Sequence, residues 1–71
     1  MRRRELLKRI RDAARARELY FGEVREGSNH TIFALGEFHF AVPRHNEINE
    51  FTAQAIMKDL SDQLGEDWWR R

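Results

Sequence analysis

The chain has 71 residues, which is the length of one small domain. Its hydrophobic content of 41% is enough for a small core, so we expect it to fold. It contains no cysteine, which excludes disulfides, thiolate metal sites and cysteine nucleophiles. No apolar run approaches the roughly 18 residues of a membrane span, and no signal-peptide core follows the basic N-terminus, so we expect a soluble, cytoplasmic protein.

The net charge of +1 conceals an uneven distribution. Residues 1–17 carry eight basic and two acidic side chains, a balance of +6, whereas residues 18–71 carry five basic and ten acidic, a balance of −5. A basic block of this size predicts a surface for nucleic acid or for an acidic partner. The alternative is a solvated helix face without a ligand.

A helix is predicted from Arg4 to about Arg17. Apolar residues recur there at helical spacing: Leu6, Leu7, Ile10, Ala13 and Ala14. A second stripe on the same helix is entirely basic, and we call it the basic ridge. It consists of Arg4, Lys8, Arg11 and Arg15.

Three strands are predicted next, over 19–26, 30–35 and 38–42. Gly22 suggests a bulge or a weak point in the first strand, and Gly27, Ser28 and Asn29 form the turn after it. Gly36-Glu37 suits a two-residue type II′ hairpin loop. This loop sets Leu35 opposite Phe38, Phe33 opposite Phe40 and Thr31 opposite Val42 on the side predicted to meet the helices. The other side should be open, and it carries His30, Ile32, Ala34, His39 and Ala41.

A second helix should begin between Asn46 and Glu50 and end near Leu64, with Gly65 terminating it. Its apolar face is Ala53, Ile56, Met57, Leu60 and Leu64, and Glu47 and Glu50 suit its N-terminal end. The chain is therefore a single domain, 1–71, with a core over about 4–64 and a short tail over 65–71. Two alternatives remain for Trp68-Trp69 in the tail, namely stacking on bases and packing against the core or a partner.

Histidine is the residue type here whose ordinary pKa suits proton transfer near neutral pH. His30 follows a turn whose backbone N–H groups could approach a phosphate. Hairpin register puts His39 roughly 13 Å away along the sheet, at about 3.3 Å per residue, but it brings Arg44 and His45 close to His30. Arg44 could contact a phosphate, and His45 could bind substrate or cap its loop. The three histidines match no standard metal-site spacing, so we expect no metal and no cofactor.

Two motifs resemble the HicA family of toxins from type II toxin–antitoxin modules. They are Gly27-Ser28-Asn29-His30 opening a strand and Val42-Pro43-Arg44-His45-Asn46-Glu47-Ile48 with Thr52 and Ile56 following, and Leu6-Leu7-Lys8 in a basic first helix accompanies them. The resemblance covers about residues 4–64. It implies the α+β fold of double-stranded-RNA-binding domains, α-β-β-β-α, the same element order that the residue patterns predict.

The resemblance also implies a function. HicA-type chains are ribosome-independent mRNA endoribonucleases that use a catalytic histidine without a metal, and the matching position here is His30. Their partner is a HicB antitoxin, through which any DNA contact is indirect. Gly27, Ser28, Asn29, Arg44 and His45 would support the active site. The basic ridge would bind the RNA. The alternative function is a non-catalytic RNA-binding or protein-interaction module of the same fold.

Overall fold

The first helix, α1, covers Arg3–Ala16 and forms because its apolar residues share one side. Leu6 and Ile10 have no exposed surface, and Ala14 has almost none. The helix was predicted from Arg4 to Arg17, so both ends are correct to within one residue. The computed structural model that shows this describes residues 1–66 and 68–70.

Three antiparallel strands follow in the order β1-β2-β3. They are β1 (Phe21–Glu26), β2 (His30–Leu35) and β3 (Phe38–Pro43). The β2–β3 register is the predicted one, and His30 lies opposite Pro43 at its far end. Gly36 has a φ of +59°, the left-handed value that the first position of a type II′ loop requires. The two-residue loop therefore fixes which side chains share a face.

The predicted bulge at Gly22 is wrong. Gly22 pairs regularly with Ala34, and the irregularity lies between Glu23 and Arg25. Gly22 instead lies beneath the exposed Tyr20 side chain, whose hydroxyl end a Cβ atom at this position would displace. The glycine thus lets an aromatic ring lie across the strand, whereas the extra residue of β1 is accommodated two positions later.

The two faces of the sheet differ as predicted. On the side toward the helices, Thr31, Leu35 and Val42 have no exposed surface, and Phe33 is buried with them. The rings of Phe21 and Phe33 stack there at 5.2 Å between centroids. We call the opposite side the open face. Of the β2 and β3 residues on that side, only Ala34 is buried, and the others are exposed or half-buried: His30, Ile32, His39, Ala41 and Pro43. Ala34 has a small side chain and lies on the central strand between Gly22 of β1 and His39 of β3.

The second helical region is not one helix but two. α2 covers Glu50–Asp59 and α3 covers Ser61–Leu64, with a break at Leu60. Asn49 caps α2, and its side chain accepts a hydrogen bond from the Phe51 amide at 2.7 Å. The predicted apolar face is buried in full. Together α1, β1–β3 and α2–α3 form the predicted α-β-β-β-α architecture of an α+β domain.

Glu47 does not act at the N-terminal end of α2. It precedes the helix, and its carboxylate accepts a hydrogen bond from the Met1 ammonium group at 2.9 Å. This hydrogen bond is the main reason why the pKa of the Met1 amine is raised. Two backbone hydrogen bonds, from Ile48 to Met1 and from Arg3 to Asn46, hold the same segments together. The N-terminal residues thus pair with the loop after β3.

The core extends past Leu64 into the tail. Gly65, at a φ of +99°, ends α3, and Trp68–Arg70 form a short 3-10 helix. The Trp68 side chain is 7% exposed, and its Nε1 donates a hydrogen bond to the Met57 carbonyl at 2.8 Å. Of the two alternatives for the tail, Trp68 therefore packs against the core. Asp67 and Arg71 of the predicted tail lie outside the described residues.

In the described part of the chain, no helix has the length and apolar character needed to cross a membrane.

Trp68→Phe should lower the free energy of unfolding by about 1 kcal/mol, because it removes one buried hydrogen bond while keeping an aromatic ring in place. Trp68→Ala should cost about 3–5 kcal/mol through lost burial. Urea unfolding followed by circular dichroism measures both. Trp69→Phe, at a half-buried position, is the control and should change stability little. Equal effects at the two tryptophans would contradict the packing assigned to Trp68.

Candidate functional site

Three segments meet at the end of the sheet where β2 begins: the turn after β1, the loop after β3 and the first turn of α1. The Gly27 amide donates to the His30 carbonyl at 2.7 Å and closes the turn between β1 and β2. The Arg44 amide donates to the Asn29 carbonyl at 3.1 Å, which joins the loop after β3 to that turn. The first turn of α1 reaches the same place, because the Arg3 side chain donates through Nε to the Pro43 carbonyl at 2.9 Å. The structure therefore brings together the predicted site residues at 27–30 and 44.

A chain of side-chain hydrogen bonds, which we call the clamp, ties these segments together. Arg3 Nη2 donates to Thr31 Oγ1 at 3.0 Å, and that hydroxyl donates to Glu26 Oε1 at 2.8 Å. The other oxygen of Glu26 forms an ion pair with Arg44 Nε at 3.1 Å. Arg44 Nη1 then donates to the Gly27 carbonyl, also at 3.1 Å. The clamp thus fixes the turn that leads into His30 from the side of the helices.

Three members of the clamp were not predicted as site residues: Arg3, Glu26 and Thr31. Thr31 did carry a usable signal, because the hairpin register puts its hydroxyl on the core side of the sheet. A buried hydroxyl needs hydrogen-bond partners, and Thr31 has no exposed surface. Its partners come from α1 and β1, and the sequence does not specify which charged residues of those segments reach this end of the sheet.

His30 lies on the open face, on the opposite side of the sheet from the helices. It is exposed, and its imidazole forms no hydrogen bond with the described residues. The turn before it, Gly27-Ser28-Asn29, is also exposed. An imidazole in this setting can meet a ligand from solvent without any displacement of the core.

Arg44 and His45 have different surroundings. Two N–H groups of the Arg44 guanidinium are engaged within the clamp, at Glu26 and at Gly27. Since the side chain is 50% exposed and has five N–H donors, further donors remain for a ligand. His45 is exposed and forms no side-chain hydrogen bond with the described residues, so it does not cap its loop.

His39 is separated from this site. It lies on the same open face but pairs with Ala34, in the half of β3 next to the hairpin loop. His30 pairs with Pro43 at the other end of that strand pair. The strand register therefore separates His30 from His39 along the sheet, as predicted.

The basic ridge lies in the helical layer. All four of its side chains are exposed, and Arg11 lies over the ring of Phe21 at 5.8 Å. Lys8 Nζ pairs with Asp12 at 2.8 Å, and this hydrogen bond is the main cause of the lowered pKa of Asp12. The ridge and His30 thus lie on opposite sides of the sheet.

The start of α1 adds cations near the site. A groove of about 330 Å³ is lined by residues from this end of the molecule: Arg2, Arg3, Arg4 and Asn46. Of these, Arg3 belongs to the clamp, and Arg4 is the first residue of the basic ridge. The groove therefore places the first residue of the ridge beside Arg3 of the clamp and Asn46 of the loop after β3.

Among residues 1–66 and 68–70, no three side chains of His, Asp or Glu form a group that could hold a metal ion. Comparison with protein-family models, with curated proteins and with solved structures found no match for this chain.

Thr31→Val should destabilise the protein by about 1–3 kcal/mol, because it removes a buried hydroxyl that bonds both Arg3 Nη2 and Glu26 Oε1. Denaturant unfolding measures the effect. Thr52→Val is the matched control, since Thr52 is half-buried on α2 and outside the clamp. If the two variants lost the same stability, the clamp would not hold this end of the sheet.

Proposed function

We propose that this chain is a HicA-type toxin, a cytoplasmic, metal-independent mRNA endoribonuclease in which His30 is the catalytic residue. The observation that carries the proposal is the setting of His30. Its imidazole is exposed on the open face, directly after a turn held in place by the clamp. A group that transfers protons has to be accessible, as the exposed imidazole is, and the clamp fixes the backbone turn from which it projects.

The proposed reaction is attack of a ribose 2′-oxygen on the adjacent phosphorus. The new bond from the 2′-oxygen to phosphorus forms as the bond from phosphorus to the 5′-oxygen breaks. One base takes the 2′-hydroxyl proton, and one acid gives a proton to the departing 5′-oxygen. The products are a 2′,3′-cyclic phosphate and a 5′-hydroxyl. His30 supplies one of these two proton transfers, and His45 or a water molecule supplies the other.

The charges suggest how the RNA would be bound. Phosphates would follow the basic ridge along α1 and continue past Arg2 and Arg4 to the end of the sheet. The ridge runs from Arg4 to Arg15 on α1, so it offers about 17 Å of cationic surface at about 1.5 Å per residue. Arg44 would then contact the phosphate next to His30 through the donors that the clamp leaves available.

A HicB-type antitoxin is the proposed partner. An acidic partner that covers the open face would bury His30 and exclude RNA. This occlusion would explain how a cell tolerates the enzyme until the partner is removed.

His30→Ala should reduce RNA cleavage by about 100- to 10,000-fold, the usual contribution of a proton-transfer group. His39→Ala is the matched control, since it removes an exposed histidine from the same face outside the site, and it should cleave normally. The assay is cleavage of a labelled RNA by purified protein, together with growth arrest on expression without antitoxin. Undiminished cleavage by His30→Ala would exclude the catalytic role. Binding without cleavage by the unmodified protein would favour a non-catalytic RNA-binding module.

Replacing Arg4 and Arg15 together with Gln should weaken RNA binding and flatten its salt dependence. Each lost phosphate contact removes about 0.7 from the slope of log K against log salt for single-stranded RNA. Fluorescence anisotropy over a range of salt concentrations measures this slope. Arg9→Gln is the control because Arg9 lies off the ridge and pairs with Glu5 at 3.1 Å. An unchanged slope in the double variant would place the RNA elsewhere.

A further inference from the structure

The outer edge of β3 presents unpaired backbone groups. The strand order β1-β2-β3 leaves β3 with a neighbour on one side only. The two-residue loop makes Leu35 and Phe38 a hydrogen-bonded pair, so alternate residues of β3 direct their N–H and C=O groups away from β2. These residues are His39 and Ala41. Neither forms a backbone hydrogen bond outside the sheet with the described residues.

The edge has a defined end. Pro43 occupies the next outward position, where it has no N–H group, and its carbonyl accepts the hydrogen bond from Arg3. The unpaired set is therefore two donors and two acceptors, all from His39 and Ala41.

We propose that two copies of this chain associate through β3 and form one antiparallel six-stranded sheet. A two-fold axis beside Phe40 pairs His39 of one copy with the partner's Ala41, and Ala41 with the partner's His39. Each of these pairs exchanges two hydrogen bonds, so four bonds use every unpaired group of the edge. The pattern of donors and acceptors is thus complementary to itself.

Side chains favour the same register. Phe40 lies opposite the partner's Phe40 in a pair without hydrogen bonds, which is where cross-strand side chains come closest. Phe38 and Phe40 are only half-buried, although they face the helical layer, so no helix covers this edge fully. Their rings, stacked at 6.1 Å, would gain cover from the second copy.

The other edge of the sheet is protected against such pairing. β1 carries the bulge between Glu23 and Arg25, together with three charged residues in a strand of six. Bulges and charges are the usual means by which edge strands avoid association. β3 has neither an irregularity in its register nor a Lys, Arg, Asp or Glu. The contrast between the edges therefore assigns the association to β3.

The register also avoids charge repulsion between the two copies. In this register each His39 faces an alanine, so the two imidazoles do not oppose each other even when protonated. The two-fold axis runs perpendicular to the sheet, so the open faces of both copies lie on one side. The assembly would present two His30 sites on one continuous surface.

Sedimentation velocity over a range of concentrations tests the association. The unmodified protein should shift from monomer to dimer as its concentration rises. Ala41→Pro removes one outward N–H group per copy and hence two of the four hydrogen bonds, so it should weaken association by about 10- to 100-fold. Ala41→Val is the matched control, because it changes the same side chain but keeps the N–H group, and it should still dimerise.

Amide hydrogen exchange of the unmodified protein gives a second readout that does not depend on the fold of a variant. The His39 and Ala41 amides should become protected as concentration rises, while their neighbours in β2 stay unchanged. A protein that remains monomeric at millimolar concentration with these two amides unprotected would overturn the proposal. It would also be overturned by a folded Ala41→Pro variant that dimerises as tightly as the unmodified chain.

Discussion

The register between β2 and β3 is the constraint on which the rest of the structure depends. Gly36 adopts a left-handed conformation in a two-residue loop, and this geometry leaves no freedom in how the strands align. A shift of one residue would turn Phe33 and Leu35 outward and bring His30 into the core. The same loop sets which backbone groups of β3 face solvent. The accessible histidine and the unpaired edge are therefore two consequences of one turn.

The end of the sheet farthest from the hairpin loop, where β2 begins, is held by ion pairing and hydrogen bonds. Burial of apolar surface secures the middle of the sheet, but the turn at 27–29 is exposed and contains no apolar residue. Thr31 connects the apolar core to this polar end, because its hydroxyl is buried and joins Arg3 to Glu26. A buried polar group is costly without partners, so the fold holds this geometry only while all its partners are in place. That requirement gives the His30 turn a defined shape despite its exposure.

The parts of the fold that sequence analysis predicted correctly depend on local patterns. Helix α1 has helical spacing of apolar residues, and the hairpin has a turn sequence with few solutions. The errors arose where the outcome depended on contacts distant in sequence. The bulge was placed at Gly22 because glycine is common at bulges, but the ring of Tyr20 occupies the space that this glycine leaves. Glu47 suited a helix N-terminus by its charge, yet the Met1 ammonium group, far away in the sequence, binds it instead.

In the candidate site, too, local patterns were predictive and contacts between distant segments were not. The proximity of His30 to the loop at 44–45 followed from register alone, since Pro43 lies opposite His30. The position of the basic ridge did not follow, because the sequence does not define how α1 is oriented over the sheet. In the structure the ridge lies in the helical layer and His30 on the open face, on opposite sides of the sheet. A nucleic acid that used both would have to pass around this end of the molecule, where Arg2 and Arg4 line the groove. The clamp lies at that crossing, so the residues that shape the turn would also determine the path of the ligand.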